Sequence, residues 1–298
     1  MAAPLVVVVR AAGLRASEGS FRPEAVAALF ERGLARLTGQ TGAAAGLATV
    51  FRSSDRVGIK INTIAGRRLT SPPEATLPLA RLLVKAGLKA SSIIIWDRTN
   101  RELREAGYKL NDSGGEFRVF GTDTAGAGYA AEPLEHRSIA GRFSSIQTGA
   151  VTASISFAVL KDHGLAGLTA GMKNYFGAVH NPNKYHDDGC DPYIADLFDA
   201  PPIRGKHRLT ILDATTVQAE KGPDFHARWA ERRDTLVFGF DPVAVDAVGL
   251  RIVEEIRKAK GLPSLEEDGR TPRYLATAER LGLGIASPAG IRMVEESA

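Results

Sequence analysis

Residues 155–193 read ISFAVLKDHGLAGLTAGMKNYFGAVHNPNKYHDDGCDPY, and three of the chain's six histidines fall within them. The opening run, Ile155 to Leu160, has the length and β-branched content of a buried strand, and its apolarity stops at Lys161-Asp162-His163. Polar groups therefore collect at the carboxyl end of a strand. Glycines at 164, 167 and 171 come next, and Thr169 is placed to cap a short helix that carries Lys173 and Asn174. Beyond Gly177 the chain passes through His180, His186, Asp187, Asp188 and Cys190. Ligands of open α/β sheets bind outside the carboxyl ends of the strands, so this stretch lies where such a fold builds a site.

Working outward, the same arrangement recurs. Leu5 to Val9 is a β-branched run, and Glu24 to Leu37 has helical periodicity with Pro23 at its entry. Val57 to Ile61 reads as a strand ending in Lys60 and Asn62, a helix opens at Pro72-Pro73, and Ser92 to Trp96 reads as a strand that exits into Asp97 and Arg98. Leu209 to Leu212 would exit into Asp213, and Leu236 to Phe240 into Asp241, the N-cap of a helix with Asp246 near its second turn. This alternation predicts an α/β fold, a mostly parallel sheet flanked by helices, formed as one domain over 1–298 with an inserted cover at about 111–152. Strand exits on one edge would bring Lys60 or Asn62, Asp97, His163, Lys173 and Asp246 into one cleft. The loop from His180 to Cys190 would fold over it.

Composition narrows the chemistry. Lys and Arg number 38 against 34 Asp and Glu, a net charge of +4 without a basic block, which is too diffuse for nucleic acid. The lone cysteine, Cys190, excludes an internal disulfide and an iron–sulfur cluster held by this chain's cysteines. No stretch has the roughly 18 apolar residues of a membrane span. The start MAAPLVVVV lacks the n-region of a signal peptide, while Ala-Ala-Pro is typical of a mature start left by signal cleavage, so the compartment is open between cytoplasm and export. GLAGLTAGMKN departs from the Walker pattern, because Met172 separates Lys173 from Gly171 and no Ser or Thr comes after the lysine. Its glycines still let backbone N–H groups approach an anion, with Lys161 and Lys173 adding charge. His180, His186, Asp187 and Asp188 supply donors for a divalent metal, although in no established ligand spacing.

Taken together, IKIN at 59–62, Asp97, VLKDHGLAGLTAGMKNYFG at 159–177 and GFDPVAVDAVG at 239–249 resemble the family catalogued as domain of unknown function 362. The chain departs from that pattern at Ile61, where the family has proline, at Ala158 and Val159, where it has Pro-Lys, and at Asp162, where it has Thr or Ser. The resemblance implies an α/β fold and a site built from Lys60, Asn62, Asp97, Lys161, His163, Lys173, Asn174, Asp241 and Asp246. It implies no reaction. Some members carry a ferredoxin-like cysteine module, which this chain lacks, so a redox role would need an external cofactor or partner.

The leading reading is an enzyme for a small anionic substrate, metal-assisted or redox. Lys161 and Lys173 bind or polarise the anion, Asn62 and Asn174 orient it, and His163 is the acid/base. Lys60 and Arg98 join the binding set, as do Asp213, Asp241 and Asp246; Asp97, Asp213 or Asp246 would orient His163 or hold a metal. The alternatives are a non-catalytic small-ligand-binding protein with the same pocket, and a structural reading in which these groups only satisfy buried backbone.

Overall fold

In the computed structural model, which describes residues 3–298, β1 (Leu5–Arg10) leads into α1 (Pro23–Thr38) and α2 (Ala43–Val50). α1 buries Val26, Leu29, Phe30, Leu34 and Leu37 on one face, starts at a proline whose missing N–H costs nothing there, and ends on Gly39 at a left-handed φ of 71°. Two βαβ steps come next: β2 (Val57–Lys60), α3 (Pro73–Lys85), β3 (Ile93–Asp97), α4 (Asn100–Glu105) and β4 (Arg118–Gly121). A hairpin of β5 (Leu134–His136) and β6 (Ile139–Gly141) precedes β7 (Ala153–His163) and β8 (Gly167–Thr169). The chain closes with α5 (Tyr193–Asp199), α6 (Pro201–Arg204), β9 (His207–Gln218), β10 (Ala230–Gly239), α7 (Pro242–Ala259), α8 (Tyr274–Arg280) and β11 (Arg292–Ser297).

Nine strands make one mostly parallel mixed sheet in the order β11-β1-β10-β9-β7-β2-β3-β4, with β8 attached to β7. β2, β3, β4, β7 and β9 run parallel, so their carboxyl ends share one edge. Alternate side chains serve two cores. Val57, Ile59, Ile95, Ile155 and Phe157 pack with α1, α2 and α3, while Trp96, Ala158, Leu160 and Leu212 pack with α5, α7 and α8. β7 is buried over its whole length, as a central strand covered on both faces must be.

Three features differ from the sequence reading. β10 runs antiparallel to both β9 and β1, so its exit and the start of α7 lie on the edge opposite the other exits. Residues 111–152 are not one inserted cover, because β4 within them pairs with β3 at the end of the sheet. The remainder, with the β5–β6 hairpin, buttresses the segment after Lys173, through Ser144 N to Ala178 O at 2.7 Å and Tyr185 Oη to Ala140 O at 2.8 Å. The final residues, to which the sequence reading gave no strand, form β11 and pair in parallel with β1. Among the described residues no helix is long and apolar enough to cross a membrane.

Candidate functional site

A pocket of about 210 Å³ opens at the shared carboxyl edge, below the roughly 300–1,000 Å³ of sites for drug-sized ligands. β2 contributes Lys60 and the following Asn62, β3 contributes Asp97 and the following Arg98, and β7 contributes Lys161 and His163. Lys173, Asn174, Phe176 and Gly177 enter from the 3₁₀ segment Lys173–Ala178, Thr169 from the end of β8, and Pro182, Asn183 and His186 from the loop beyond. That loop rims the pocket.

One part of this set is closed on itself. Lys60 Nζ donates to Asp97 Oδ1 at 2.7 Å, to Ile61 O at 2.7 Å and to Asn174 Oδ1 at 3.2 Å, which uses all three ammonium protons. Asp97 Oδ1 also accepts from Arg98 N, and Asp97 Oδ2 accepts from Thr63 N and Thr63 Oγ1. Asn174 Nδ2 donates to Lys60 O at 2.8 Å and to Ser156 Oγ at 3.0 Å. A buried ion pair with every lone pair and proton met holds three chain segments together and has nothing left for a ligand. Gly177 packs against it: a Cβ there would lie 2.8 Å from Lys60 Nζ and 2.9 Å from Asp97 Oδ1. Arg98 is likewise paired, with Glu102.

The other part is under-satisfied. Lys161 Nζ is buried and, among the described residues, donates only to Pro223 O, at 3.1 Å. Burial without a carboxylate in ion-pair contact lowers its pKa to about 7, against the upward pull of the more distant Asp97 and Asp224. Lys173 is 6% exposed, lies over the Phe176 ring at 4.0 Å, and is lowered to about 8 by burial. Thr169 Oγ1 and Asn62 Oδ1, both lining the pocket, are buried and without a hydrogen-bond partner among the described residues.

His163 has a fixed tautomer. Its Nδ1 faces Leu165 N at 3.2 Å and Ala166 N at 3.1 Å, two donors, so this nitrogen carries the lone pair and the proton sits on Nε2. Burial, with Lys173, His186 and Lys161 nearby, holds the ring far below the ordinary imidazole pKa. The residue expected as an acid/base is arranged instead as a neutral N–H donor, because its basic nitrogen is consumed by the turn between β7 and β8. His186 stacks on it, with ring centroids 5.4 Å apart at 27°.

Several expected members lie elsewhere. Asp246 is fully buried on α7, where it accepts from Gly171 N at 2.7 Å, Met172 N at 3.1 Å and Tyr274 Oη at 2.9 Å. It anchors the segment that Thr169 was expected to cap, and it lies outside the pocket because α7 starts from the opposite edge. Asp241 caps α7 through Ala244 N and accepts from Ile285 N. Asp213 sits mid-strand in β9, since that strand runs on to Gln218, and its Oδ1 accepts from Thr215 N. Of the metal candidates, His180 is exposed against Tyr129, Asp187 is exposed, and Asp188 pairs with Arg273 at 2.6 Å, leaving His186 alone at the pocket. Among the described residues no three His, Cys, Asp or Glu side chains gather as a metal-ligand group. Sequence reasoning missed Thr169 and the carbonyl of Pro223 as lining groups; backbone direction at 223 leaves no mark in residue type.

Compared with known proteins, the chain matches the family model described as Domain of unknown function (DUF362) over residues 57–251, a span that includes every lining residue. A crystal structure of a protein from Thermotoga maritima aligns with 81% of this chain at 12% identity and a TM-score of 0.48; the alignment spans 60% of that protein's length. Comparison with curated proteins gave no match.

Proposed function

Because the chain belongs to the DUF362 family, whose function is unassigned, its activity has to be read from its own site, and we propose that the pocket binds a small anionic substrate for catalysis. One observation carries the reading: Lys161 and Lys173 are both buried at one pocket, and neither has a carboxylate within ion-pair distance among the described residues. Two uncompensated lysines are costly in a folded protein, and an anion would supply the missing counter-charge. The Nε2–H of His163 and the hydroxyl of Thr169 add neutral donors, and Asn62 Oδ1 accepts from a substrate hydroxyl or amide. Lys60, Asp97 and Asn174 form the frame beneath.

Calorimetric titration with phosphate, formate and glyoxylate tests the reading, beside mass spectrometry of small molecules that co-purify with the gently isolated protein. Binding of at least one anion, weakened about tenfold or more in Lys161→Met, is expected. Absence of binding by all three, with no co-purified anion, overturns it. Turnover of the bound molecule separates an enzyme from a binding protein.

A further inference from the structure

Lys173 and His186 meet in a way that simple anion binding does not call for. The two are 13 residues apart in sequence, and Lys173 Nζ lies 3.4 Å from His186 Nε2. On the other side of that ring, Nδ1 lies 3.0 Å from Pro182 O. A carbonyl oxygen only accepts, so Nδ1 carries the proton and Nε2 presents its lone pair to the lysine. The ring is held edge-on to Phe176 at 5.4 Å and stacked on His163. An amine, a base within reach of it and a third group that fixes the base's tautomer make the arrangement of an activated nucleophile.

The surroundings favour the neutral amine. Lys173 has no carboxylate partner among the described residues, one face rests on an aromatic ring, and Lys161 brings a second positive charge to the same pocket. The titratable groups that face it are His186, His163, Lys161 and Cys190. Of the two lysines it is the one with accessible surface, 6% against 0% for Lys161. A site meant only to hold an anion would be served better by arginine, which stays charged when buried.

We propose that Lys173 is a nucleophile that captures the carbonyl group of a small oxo acid as an imine, with His186 as its base and Lys161 holding the carboxylate. The proposal rests on the anion-pocket reading and adds the substrate class. His186 Nε2 takes a proton from the Lys173 ammonium, and the freed lone pair attacks the carbonyl carbon. An N–C bond forms as the carbonyl π pair moves to oxygen, which receives the proton back from His186. The carbinolamine nitrogen still holds two protons and a positive charge; it loses one of them, with the hydroxyl group, as water. Ammonium and carbonyl become protonated imine and water, with no oxidant or reductant.

The test is reductive trapping of the full-length protein with glyoxylate and sodium cyanoborohydride, then peptide mass mapping. One dominant adduct on Lys173 is expected, absent in Lys173→Arg, which keeps the charge but not the nucleophile. His186→Gln should slow capture on the order of a hundredfold at pH 7, the contribution of a positioned base. It should also change the pH profile: the wild-type rate stays level between about pH 6.5 and 8, while the variant's climbs about tenfold per unit as free amine appears. A merely structural role for His186 would leave that slope alone. Lys161→Met should remove the preference for glyoxylate over acetaldehyde. Labelling that tracks surface exposure, with Lys85 or Lys109 ahead of Lys173, overturns the proposal, as does an unchanged profile in His186→Gln. If calorimetry shows glyoxylate, phosphate or formate bound and no adduct forms, the imine falls and the anion pocket stands; if no adduct forms, none of the three binds and no anion co-purifies, both fall.

Discussion

Two lysines that line the same pocket are under opposite physical constraints. Lys60 is buried with three acceptors and a carboxylate partner, whereas Lys173 is buried with only an imidazole nitrogen at 3.4 Å. Replacing Lys60 by Met would leave Asp97 charged and short of a partner, at a cost of about 3–5 kcal/mol. Replacing Lys173 or Lys161 by Met removes an uncompensated charge from a dry environment, so each should be neutral or stabilise by up to about 2 kcal/mol at pH 7. Urea unfolding of the three variants checks the ordering, and a large loss in Lys173→Met would support the structural reading of that residue. Gly177→Ala would drive a methyl into the Lys60–Asp97 pair and should cost about 1–3 kcal/mol.

At the scale of elements, the placing of Lys173 depends on a helix that never touches the pocket. Asp246 of α7 accepts the backbone N–H groups of Gly171 and Met172, and Tyr274 of α8 bonds the same carboxylate. Asp246→Ala would orphan two buried amide donors, at about 1–3 kcal/mol each. Hydrogen exchange should show the amides of Gly171 and Met172 losing protection more than those of β7. Equal loss along β7 would mean that Asp246 supports the whole fold and not this segment in particular. A comparable device closes the β7–β8 turn, where His163 Nδ1 takes two amide hydrogens. His163→Leu should therefore cost about 1–3 kcal/mol, with the loss appearing at the amides of Leu165 and Ala166.

For the molecule as a whole, the buried lysines should be visible in the pH dependence of stability. Both have folded pKa values below their ordinary 10.5, about 7 for Lys161 and about 8 for Lys173. Between about pH 8 and 10 the unfolded chain therefore holds protons that the folded protein has released. Stability rises with pH where the unfolded state binds more protons, by up to about 1.4 kcal/mol per pH unit for each one. The wild type should gain stability across this window, and the Lys161→Met/Lys173→Met double variant should gain less; parallel profiles would mean that both lysines keep ordinary pKa values in the folded protein. A bound anion would hold the lysines charged and flatten the wild-type profile in the same direction as the double variant. Elsewhere, Arg257 and Arg270 join Asp162, Glu220 and Asp268 in one cluster that ties the chain before α8 to β7, at distances of 2.5 to 3.9 Å.

Sequence by itself was sufficient for the α/β class and for the edge at which Lys60, Asp97, Lys161 and His163 assemble. Apolar runs and helical periods are local properties of a chain, and in parallel strands a carboxyl-terminal position already implies a shared edge. It was insufficient wherever direction or partnership decided. Leu236 to Phe240 looks the same whether its strand runs parallel or antiparallel, so only the pairing of β10 with β9 and β1 could send Asp241 and Asp246 to the far edge. Asp213 faced away once β9 proved to extend beyond it, and Thr169 ended a strand where a cap was expected. The roles of Lys60 and Lys173 were equally out of reach, because an ammonium group's function depends on the acceptors within about 3.5 Å of it, and those acceptors come from segments up to 114 residues away.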